Sequence, residues 1–161
     1  VKQYRQAGLL GKIPLISVST IDGSTLPALK EQAVGSITSA PYSPDLDNAQ
    51  NKQFVAAFQK KYNRVPSMYA AQSYDAANLI DSALTKTKGS VADREALRAA
   101  LKAADFQSVR GSFKFASNQF PIAPFYRVDV VKDGSGAAFA NKGKIEIKTR
   151  ANLASMCKIR S

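Results

Sequence analysis

The sequence predicts an α/β fold with a parallel sheet, and three observations favour it. Strand-like and helix-like segments alternate before Pro41, which is typical of strands joined by helical crossovers. Several segments with a 3.6-residue period follow, and the period changes to 2 only from Gly111 onwards. Hydrophobic residues make up 45% and charged residues 22% of the 161 residues, which is the composition of a folded globular chain.

The first elements are inferred from local apolar patterns. Residues 1–7 have the spacing of the last turns of a helix, and residues 13–18 form an apolar run typical of a buried parallel strand. A short amphipathic helix is expected around residues 26–33, and residues 35–40 predict a second strand. This segment holds only about one strand–helix–strand unit. We therefore expect a partner, covalent or not, to cover the faces of its sheet.

Three longer helices are expected after the proline-rich turn 41–44. Asp47 or Asn48 can cap the first helix, Ser67 can cap the second, and the third begins at Asp93. The faces expected to be buried comprise Phe54, Phe58 and Tyr62 in the first helix, Ala70, Tyr74, Ala77 and Leu84 in the second, and Leu97, Leu101 and Ala104 in the third.

The last part of the chain predicts strands. Residues 111–115 alternate like a half-buried strand, and residues 125–131 form the clearest strand of the sequence. Residues 132–136 end that strand. The tail from Ala137 is expected to be polar and basic, without a regular period.

Composition also narrows the classes of function. The chain has no histidine, which removes the usual general base, the serine-type triads and most zinc sites. Cys157 is its single cysteine, so the chain can form no internal disulfide and no cysteine cluster. Asp22, Asp75 and Asp81 form no recognisable acid–base pair by their spacing. An enzyme is therefore the least expected class.

The charge balance raises nucleic-acid binding as an alternative function. The chain has 23 basic and 12 acidic residues and a net charge of +11, which is the first thing to check for nucleic-acid binding. The basic residues are scattered, however, and only Lys60 and Lys61 are adjacent. The one local excess lies in residues 142–160, with six basic residues and one acidic residue. A basic soluble surface is the simpler interpretation, and no nucleic-acid partner is expected.

Several segments occur in an order and at spacings that are specific when taken together. They are Gln6-Ala7-Gly8-Leu9, Pro14-Leu15-Ile16, Gly35, Pro41-Tyr42-Ser43-Pro44, Phe54 to Tyr62, Pro66, Tyr69 to Ala77, Gly111, Phe113, Phe115 and Phe125 to Val131. In this order they resemble the C-terminal half of type I periplasmic substrate-binding proteins of ABC transporters, in the branched-chain amino acid (Leu/Ile/Val) binding group. The resemblance extends to about Gly134.

The resemblance implies a Rossmann-like, bilobed fold of the periplasmic-binding-protein type I class, present here as a C-terminal fragment. Residues 1–41 would be part of the C-terminal lobe, and residues 42–122 would be part of the N-terminal lobe, as helices and a sheet edge. Residues 123–161 would hold a return strand to the C-terminal lobe and a basic tail. The N-terminal half of the same protein would then be the partner, and it would supply the missing start of the first helix and most of both sheets.

Open α/β sheets bind ligands beyond the carboxyl ends of their strands, which points to Ser19, Thr20 and Asp22. The two hydroxyls could donate to a ligand carboxylate. In the amino-acid-binding relatives an acidic residue near this loop holds the ligand's amine, and Asp22 is the only candidate for it here. Asp22-Gly23 is also an ordinary turn dipeptide. If it is a turn, an aliphatic or aromatic acid without an amine becomes the more favoured ligand.

The resemblance adds a second cluster at the N-terminus of the second long helix, where Tyr69, Ala71 and Gln72 would border the cleft. A helix N-terminus also offers free N–H groups and a partial positive charge to an anion. The alternative is that the tyrosine packs in the core. Tyr42 would either line the cleft or pack at a crossover between the lobes.

The function that the resemblance implies is that of a periplasmic solute-binding component of an ABC importer. It would close two lobes on a small carboxylate and dock on a membrane permease, with no cofactor, no metal and no covalent chemistry. A ligand sensor on the same fold is the alternative, because fold alone does not separate transport from sensing. Cys157 could be buried, free, or paired with a cysteine of the N-terminal half.

Overall fold

The computed structural model describes residues 1–134 and 136–145 of the chain. In chain order its elements are α1 (Lys2–Gln6), β1 (Ile16–Val18), α2 (Leu26–Leu29), β2 (Ile37–Ala40), α3 (Ala49–Tyr62), α4 (Met68–Lys86), α5 (Arg94–Ala103), β3 (Lys114–Phe115), β4 (Pro121–Ile122), β5 (Phe125–Asp133) and β6 (Gly136–Ile145). A 3-10 helical turn at Lys30–Ala33 follows α2 directly. None of the helices in this part of the chain is long and apolar enough to cross a membrane.

Four strands form one mixed sheet in the order β1-β2-β5-β6. β1 and β2 are parallel, with Ile16 opposite Ile37, as expected for strands joined by a helical crossover. β5 is antiparallel to β2, with Tyr126 opposite Ala40, so the parallel arrangement holds for one strand pair only. β3 and β4 form a separate antiparallel ribbon. Because β5 returns to the sheet of β1 and β2, the three long helices form an insertion between two neighbouring strands.

The prediction for the tail was wrong over residues 136–145. These residues form β6, a ten-residue strand antiparallel to β5, with Phe139 opposite Val130. Gly134, with φ of +53°, directly follows the last residue of β5, and a glycine with positive φ suits the start of a tight hairpin connection. A segment of small and polar residues becomes a strand here because a long strand with free hydrogen-bonding groups lies beside it. Residues 146–161, with Cys157, lie outside the described residues.

The predicted helix starts are confirmed by cap hydrogen bonds. Side-chain oxygens of Asn48, Ser67 and Asp93 accept bonds from first-turn N–H groups of α3, α4 and α5, at 2.8 Å, 3.2 Å and 3.0–3.1 Å respectively. At the other end, Asn63 and Ala104 adopt left-handed backbone conformations and terminate α3 and α5. The bounds of these helices thus follow from local sequence.

The main core lies where α3 and α4 pack against the adjoining ends of β2 and β5. Its buried members are Ala40, Tyr42, Leu46, Phe54, Met68, Ala71, Val109, Tyr126 and Val128. A second cluster beneath α2 comprises Ile21, Leu26, Ala33 and Val130. The insertion and the sheet are therefore joined by packed side chains as well as by the chain itself.

β1 is not buried on both faces within the described residues, contrary to the prediction. Ile16 is 68% exposed and Val18 is 63% exposed. Ile16 and Val18 are two residues apart and point to the same face of the sheet, and their exposure means that no described segment packs over them there. This face of β1 therefore presents aliphatic side chains to solvent.

The face of α4 that packs inward also differs from the predicted one. Met68, Ala71 and Asp75 are buried, whereas Tyr74 is 44% exposed and Ala77 is exposed. The periodic apolar residues pointed to the wrong face because the buried stripe contains a carboxylate, which hydropathy places outside. Partners of that carboxylate, described below, make its burial stable.

Candidate functional site

The β1–α2 loop, residues 19–25, follows the carboxyl end of β1, where open α/β sheets bind ligands. Ser19 is half-buried and has a left-handed backbone with φ of 56°, and its N–H donates to the carbonyl of Ser39 at 2.8 Å. Non-glycine residues rarely adopt this conformation, and they concentrate at binding sites. Thr20 is exposed, and its carbonyl accepts a bond from Oγ1 of Thr25 at 3.1 Å. The loop is thus fixed internally while its first two residues remain accessible.

Asp22 lies deeper in the same loop and is 7% exposed. Its Oδ1 accepts hydrogen bonds from the N–H and Oγ of Ser24, at 3.0 Å and 2.6 Å, and from the N–H of Thr25 at 3.3 Å. Its Oδ2 accepts a bond from the N–H of Met68 at 3.2 Å. Both carboxylate oxygens are therefore occupied by donors of the chain itself.

The contact between Asp22 Oδ2 and the N–H of Met68, here called the Asp22 bridge, joins the β1–α2 loop to the start of α4. The two segments also touch directly at Gly23 and Pro66. A Cβ placed on Gly23 would lie 2.4 Å from the carbonyl oxygen of Pro66, far inside van der Waals contact. The fold therefore brings the loop with Ser19 and the start of α4 together.

Two of the three candidate residues at the start of α4 are accessible to solvent. Tyr69 is 63% exposed and Gln72 is half-buried, so both have accessible surface. Ala71 is fully buried in the main core, on the same helix face as Met68. Its side chain offers a ligand no surface, and we remove it from the candidate site.

Tyr42 follows β2 and is 3% exposed, in edge-on contact with Phe54 at a ring separation of 6.4 Å. It borders a cavity of about 10 Å³ that Asp22, Gly23 and Thr38 also line. Burial raises the pKa of the Tyr42 phenol well above its ordinary range, and the carboxylates of Asp45 and Asp75 raise it further. Tyr42 is therefore neutral and packed beneath the β1–α2 loop rather than on an open surface.

Sequence reasoning missed a buried polar cluster around Asp75. The carboxylate of Asp75 accepts bonds from Oγ of Ser108 at 2.6 Å, the N–H of Val109 at 3.0 Å and Nε of Arg110 at 2.7 Å. The carbonyl of Arg110 in turn accepts the hydroxyl of Tyr126 at 2.7 Å. The signal was present in the sequence, because Asp75 lies four residues after Ala71 and seven after Met68, on one helix face.

An open apolar groove of about 630 Å³ lies between α3 and α4. Its lining residues are Gln53, Phe54, Ala57, Phe58, Lys61, Tyr62, Ala70, Ser73 and Tyr74. Three of the aromatic rings are in contact, with Phe54 at 5.7 Å from Phe58 and 4.7 Å from Tyr74 between ring centres. The described residues thus have two apolar surfaces, the exposed face of β1 and this groove.

A family comparison decides the class of protein. The family model described as "Periplasmic binding protein" matches residues 1–135. This chain belongs to the periplasmic binding protein family. The predicted fold class is thereby confirmed, and the related proteins of known structure are transporter solute-binding proteins rather than enzymes. No curated protein matches the chain.

Solved structures give the same fold. A solute-binding protein of an ABC transporter from R. palustris, in complex with benzoate, is 36% identical at a TM-score of 0.77, and the match covers 89% of this chain and 38% of that chain. One from Rhodopseudomonas palustris BisB5, in complex with 3,4-dihydroxy benzoic acid, is 29% identical at a TM-score of 0.80, covering 94% and 42%. A leucine-binding protein from Thermotoga maritima MSB8 is 24% identical at a TM-score of 0.69, covering 89% and 40%, and shows the fold alone.

The periplasmic binding protein chain spans about two fifths of the length of these relatives. The Asp22 bridge places the β1–α2 loop, with Ser19 and Thr20, next to the start of α4, with Tyr69 and Gln72, and all four residues have accessible surface.

Proposed function

We propose that this chain is part of the solute-binding protein of an ABC importer and that the intact protein captures an aromatic carboxylate without an amino group. The hydrogen bonds that Asp22 already accepts are the observation that supports this ligand class. Its buried carboxylate already accepts four hydrogen bonds from Ser24, Thr25 and Met68, so it is satisfied by the chain itself and needs no ligand ammonium. The benzoate complex of the 36% identical relative supports the same class.

Hydroxyl groups at the surface supply the chemistry that a carboxylate needs. Ser19 and Thr20 carry donors at the end of β1, and the ring of Tyr69 offers an accessible aromatic face on the other side of the Asp22 bridge. Benzoate carries no ammonium group and therefore needs no acceptor at Asp22. Binding by hydrogen bonds and ring contacts involves no covalent step, which agrees with the absence of histidine.

The lobe assignment belongs to the same proposal. Residues 1–41 and 123–161 would form part of one lobe, and residues 42–122 part of the other. The return of β5 and β6 to the sheet of β1 and β2 supports this division, because the three long helices are then an insertion that leaves the sheet and comes back. We expect the two lobes to close on a ligand, as in other periplasmic binding proteins. The protein would act in the periplasm.

The missing contacts would come from the N-terminal half of the same protein. The exposed face of β1, with Ile16 and Val18, and the groove between α3 and α4 are both apolar surfaces of the kind that a soluble protein covers. Docking of the closed protein on a membrane permease completes the proposal. Membership of the family supports this partner.

Isothermal titration calorimetry on the intact protein tests the ligand class. Benzoate and 4-hydroxybenzoate are compared with leucine and valine, and we expect binding heat with the aromatic acids only. Ser19→Ala and Thr20→Val should each weaken binding of the aromatic acids by about tenfold, the effect of one hydrogen bond to a charged group. Tight binding of leucine, with no heat from either aromatic acid, would contradict the proposal.

A further inference from the structure

We propose that Asp22 is a positioning residue that fixes the two sides of the binding surface to each other, so that the Asp22 bridge sets how readily the lobes separate. The inference rests on the proposed function, because it takes the β1–α2 loop and α4 to belong to different lobes. It assigns Asp22 neither to the ligand nor to a simple turn.

The two oxygens of Asp22 serve different segments of the chain. Oδ1 accepts three bonds from Ser24 and Thr25, all within its own loop. Oδ2 accepts one bond, from the N–H of Met68, which is 46 residues away. An Asx turn needs only the first oxygen. The second oxygen therefore makes a contact that has no role in forming the turn.

The site is built for this contact. Met68 is the first residue of α4, so its N–H has no acceptor inside the helix and carries the positive end of the helix dipole. Asp22 and Met68 are 7% and 6% exposed, and solvent therefore weakens the bond little. Gly23 lets the loop approach Pro66 more closely than any side chain would permit. Charge, burial and backbone spacing all favour the same contact.

The consequence concerns the free energy of closure. In a bilobed protein, contacts across the cleft stabilise the closed form, and a ligand closes it only by adding contacts there. The Asp22 bridge is made entirely by the chain, so it holds Ser19 and Thr20 near Tyr69 without help from a ligand. Loss of the bridge should make the ligand-free protein more open and should let bound ligand escape faster.

Two pairs of variants separate the bridge from the turn. Asp22→Asn keeps an oxygen for Ser24 and Thr25 but turns a donating NH₂ group toward the N–H of Met68, while Ser24→Ala weakens the turn and keeps the bridge. Met68→Pro removes the N–H itself, and Met68→Ala removes the same side-chain contacts but keeps the N–H. Proline suits this position, because Met68 is the first helical residue and the preceding Ser67 has an extended backbone with φ of −78° and ψ of 168°.

The measurements use the intact protein with benzoate as the probe ligand. We expect Asp22→Asn and Met68→Pro to increase the radius of gyration of the ligand-free protein in small-angle X-ray scattering. We also expect them to raise the benzoate dissociation rate about tenfold in stopped-flow experiments, the effect of one buried hydrogen bond to a carboxylate. Ser24→Ala and Met68→Ala should change the melting temperature and leave both quantities near those of the parent protein.

If Asp22→Asn and Ser24→Ala had equal effects, and the two Met68 variants did too, the role of the bridge would be refuted. Turn formation or core packing would then explain the changes in the radius of gyration and the dissociation rate. Scattering needs no ligand, so the bridge is tested even if benzoate fails to bind and the proposed ligand class is wrong. If Asp22→Asn abolishes binding of leucine while the ligand-free radius stays constant, Asp22 contacts the ligand and the inference fails. If Asp22→Asn does not fold, the comparison of Met68→Pro with Met68→Ala decides the question alone.

Discussion

The carboxylate of Asp75 and the guanidinium of Arg110 form an ion pair with 2.7 Å between Oδ2 and Nε, and the two side chains are only 2% and 10% exposed. Asp75 lies in α4, and Arg110 lies in the turn that leads from α5 towards β3. Through its carbonyl, Arg110 also accepts the hydroxyl of Tyr126 in β5. The pair therefore joins the helical insertion to the strand that returns to the sheet.

Removal of Asp75 should strongly destabilise the protein. Asp75→Ala leaves the buried guanidinium of Arg110 without its partner and strips Ser108 and Val109 of their acceptor, so we expect a loss of about 3–5 kcal/mol in the free energy of unfolding. Urea denaturation of the intact protein measures it. Asp81→Ala, on an exposed position of the same helix, should change stability by less than about 0.5 kcal/mol. Equal losses in the two variants would contradict the role of the pair.

Backbone conformation and lack of space both require a glycine at position 111, beside this cluster. Comparison with Gly89 separates the two effects. Gly111 has a φ of +100°, and a Cβ there would lie 2.8 Å from Oη of Tyr126. Gly89 has a φ of +80° and no atom within 4 Å of such a Cβ. Gly89→Ala should therefore cost about 1 kcal/mol from backbone strain, and Gly111→Ala about 1–3 kcal/mol more from overpacking.

The source of the extra cost at Gly111 can be checked by a double-mutant cycle. Tyr126→Phe removes the atom that a Cβ would meet, so Gly111→Ala should be less destabilising in that background than in the parent protein. Thermal and urea unfolding of the four proteins provide the values. Strict additivity of the two substitutions would refute the steric explanation.

The apolar face of β1 gives a prediction about the intact protein. Val18 and Val91 are 63% and 61% exposed in the described residues, but only Val18 lies on a strand face that we expect the N-terminal half to cover. Val18→Lys should lower the stability of the intact protein by roughly 2–4 kcal/mol, because it would bury a charge, and Val91→Lys should have little effect. Similar small effects in both variants would mean that the face of β1 is open to solvent.

Tyr42 should make the protein less stable in alkaline solution. Burial raises the pKa of its phenol above the ordinary value of 10.0, so the folded protein keeps a proton that the unfolded chain releases. The unfolded state then binds fewer protons, and stability falls as the pH rises above about 10, by up to roughly 1.4 kcal/mol per pH unit for this group. Burial shifts the pKa of Tyr126 in the same direction.

Urea midpoints of the parent protein and of Tyr42→Phe, measured from pH 8 to pH 11, test this dependence. The variant should show a flatter decline above pH 10, because it has no phenol at this position. Tyr62→Phe is the control, since Tyr62 is 51% exposed. A decline of the same steepness in all three proteins would assign the alkaline loss to other groups.

The family and the helices could be predicted from the sequence because their signals are local. Asn48, Ser67 and Asp93 cap helices whose first N–H groups lie two or three residues away. The order of the segments also sufficed for the family, which the match over residues 1–135 confirms. Ser19, Thr20, Tyr69 and Gln72 remain proposed ligand contacts, chosen from the ends of predicted elements.

The tertiary structure decided which buried polar groups have hydrogen-bond partners. Asp22 had two interpretations in the sequence, and the donor that fills its second oxygen, Met68, is 46 residues away. The partner of Asp75 is 35 residues away, so the buried face of α4 was assigned incorrectly from periodicity alone. β6 was missed for the same reason, since its strand conformation depends on pairing with β5.

The sequence by itself thus determined the starts of the three long helices and the first parallel strand pair, which depend on residues close together in the chain, and the class of protein, which depends on the order of segments along it. Burial of Tyr42 and Ala71, exposure of Ile16 and the occupancy of the two aspartates depended on distant segments meeting in space. A hydrogen bond between distant residues forms only when the whole fold fixes both ends. Local propensity contains no information about it.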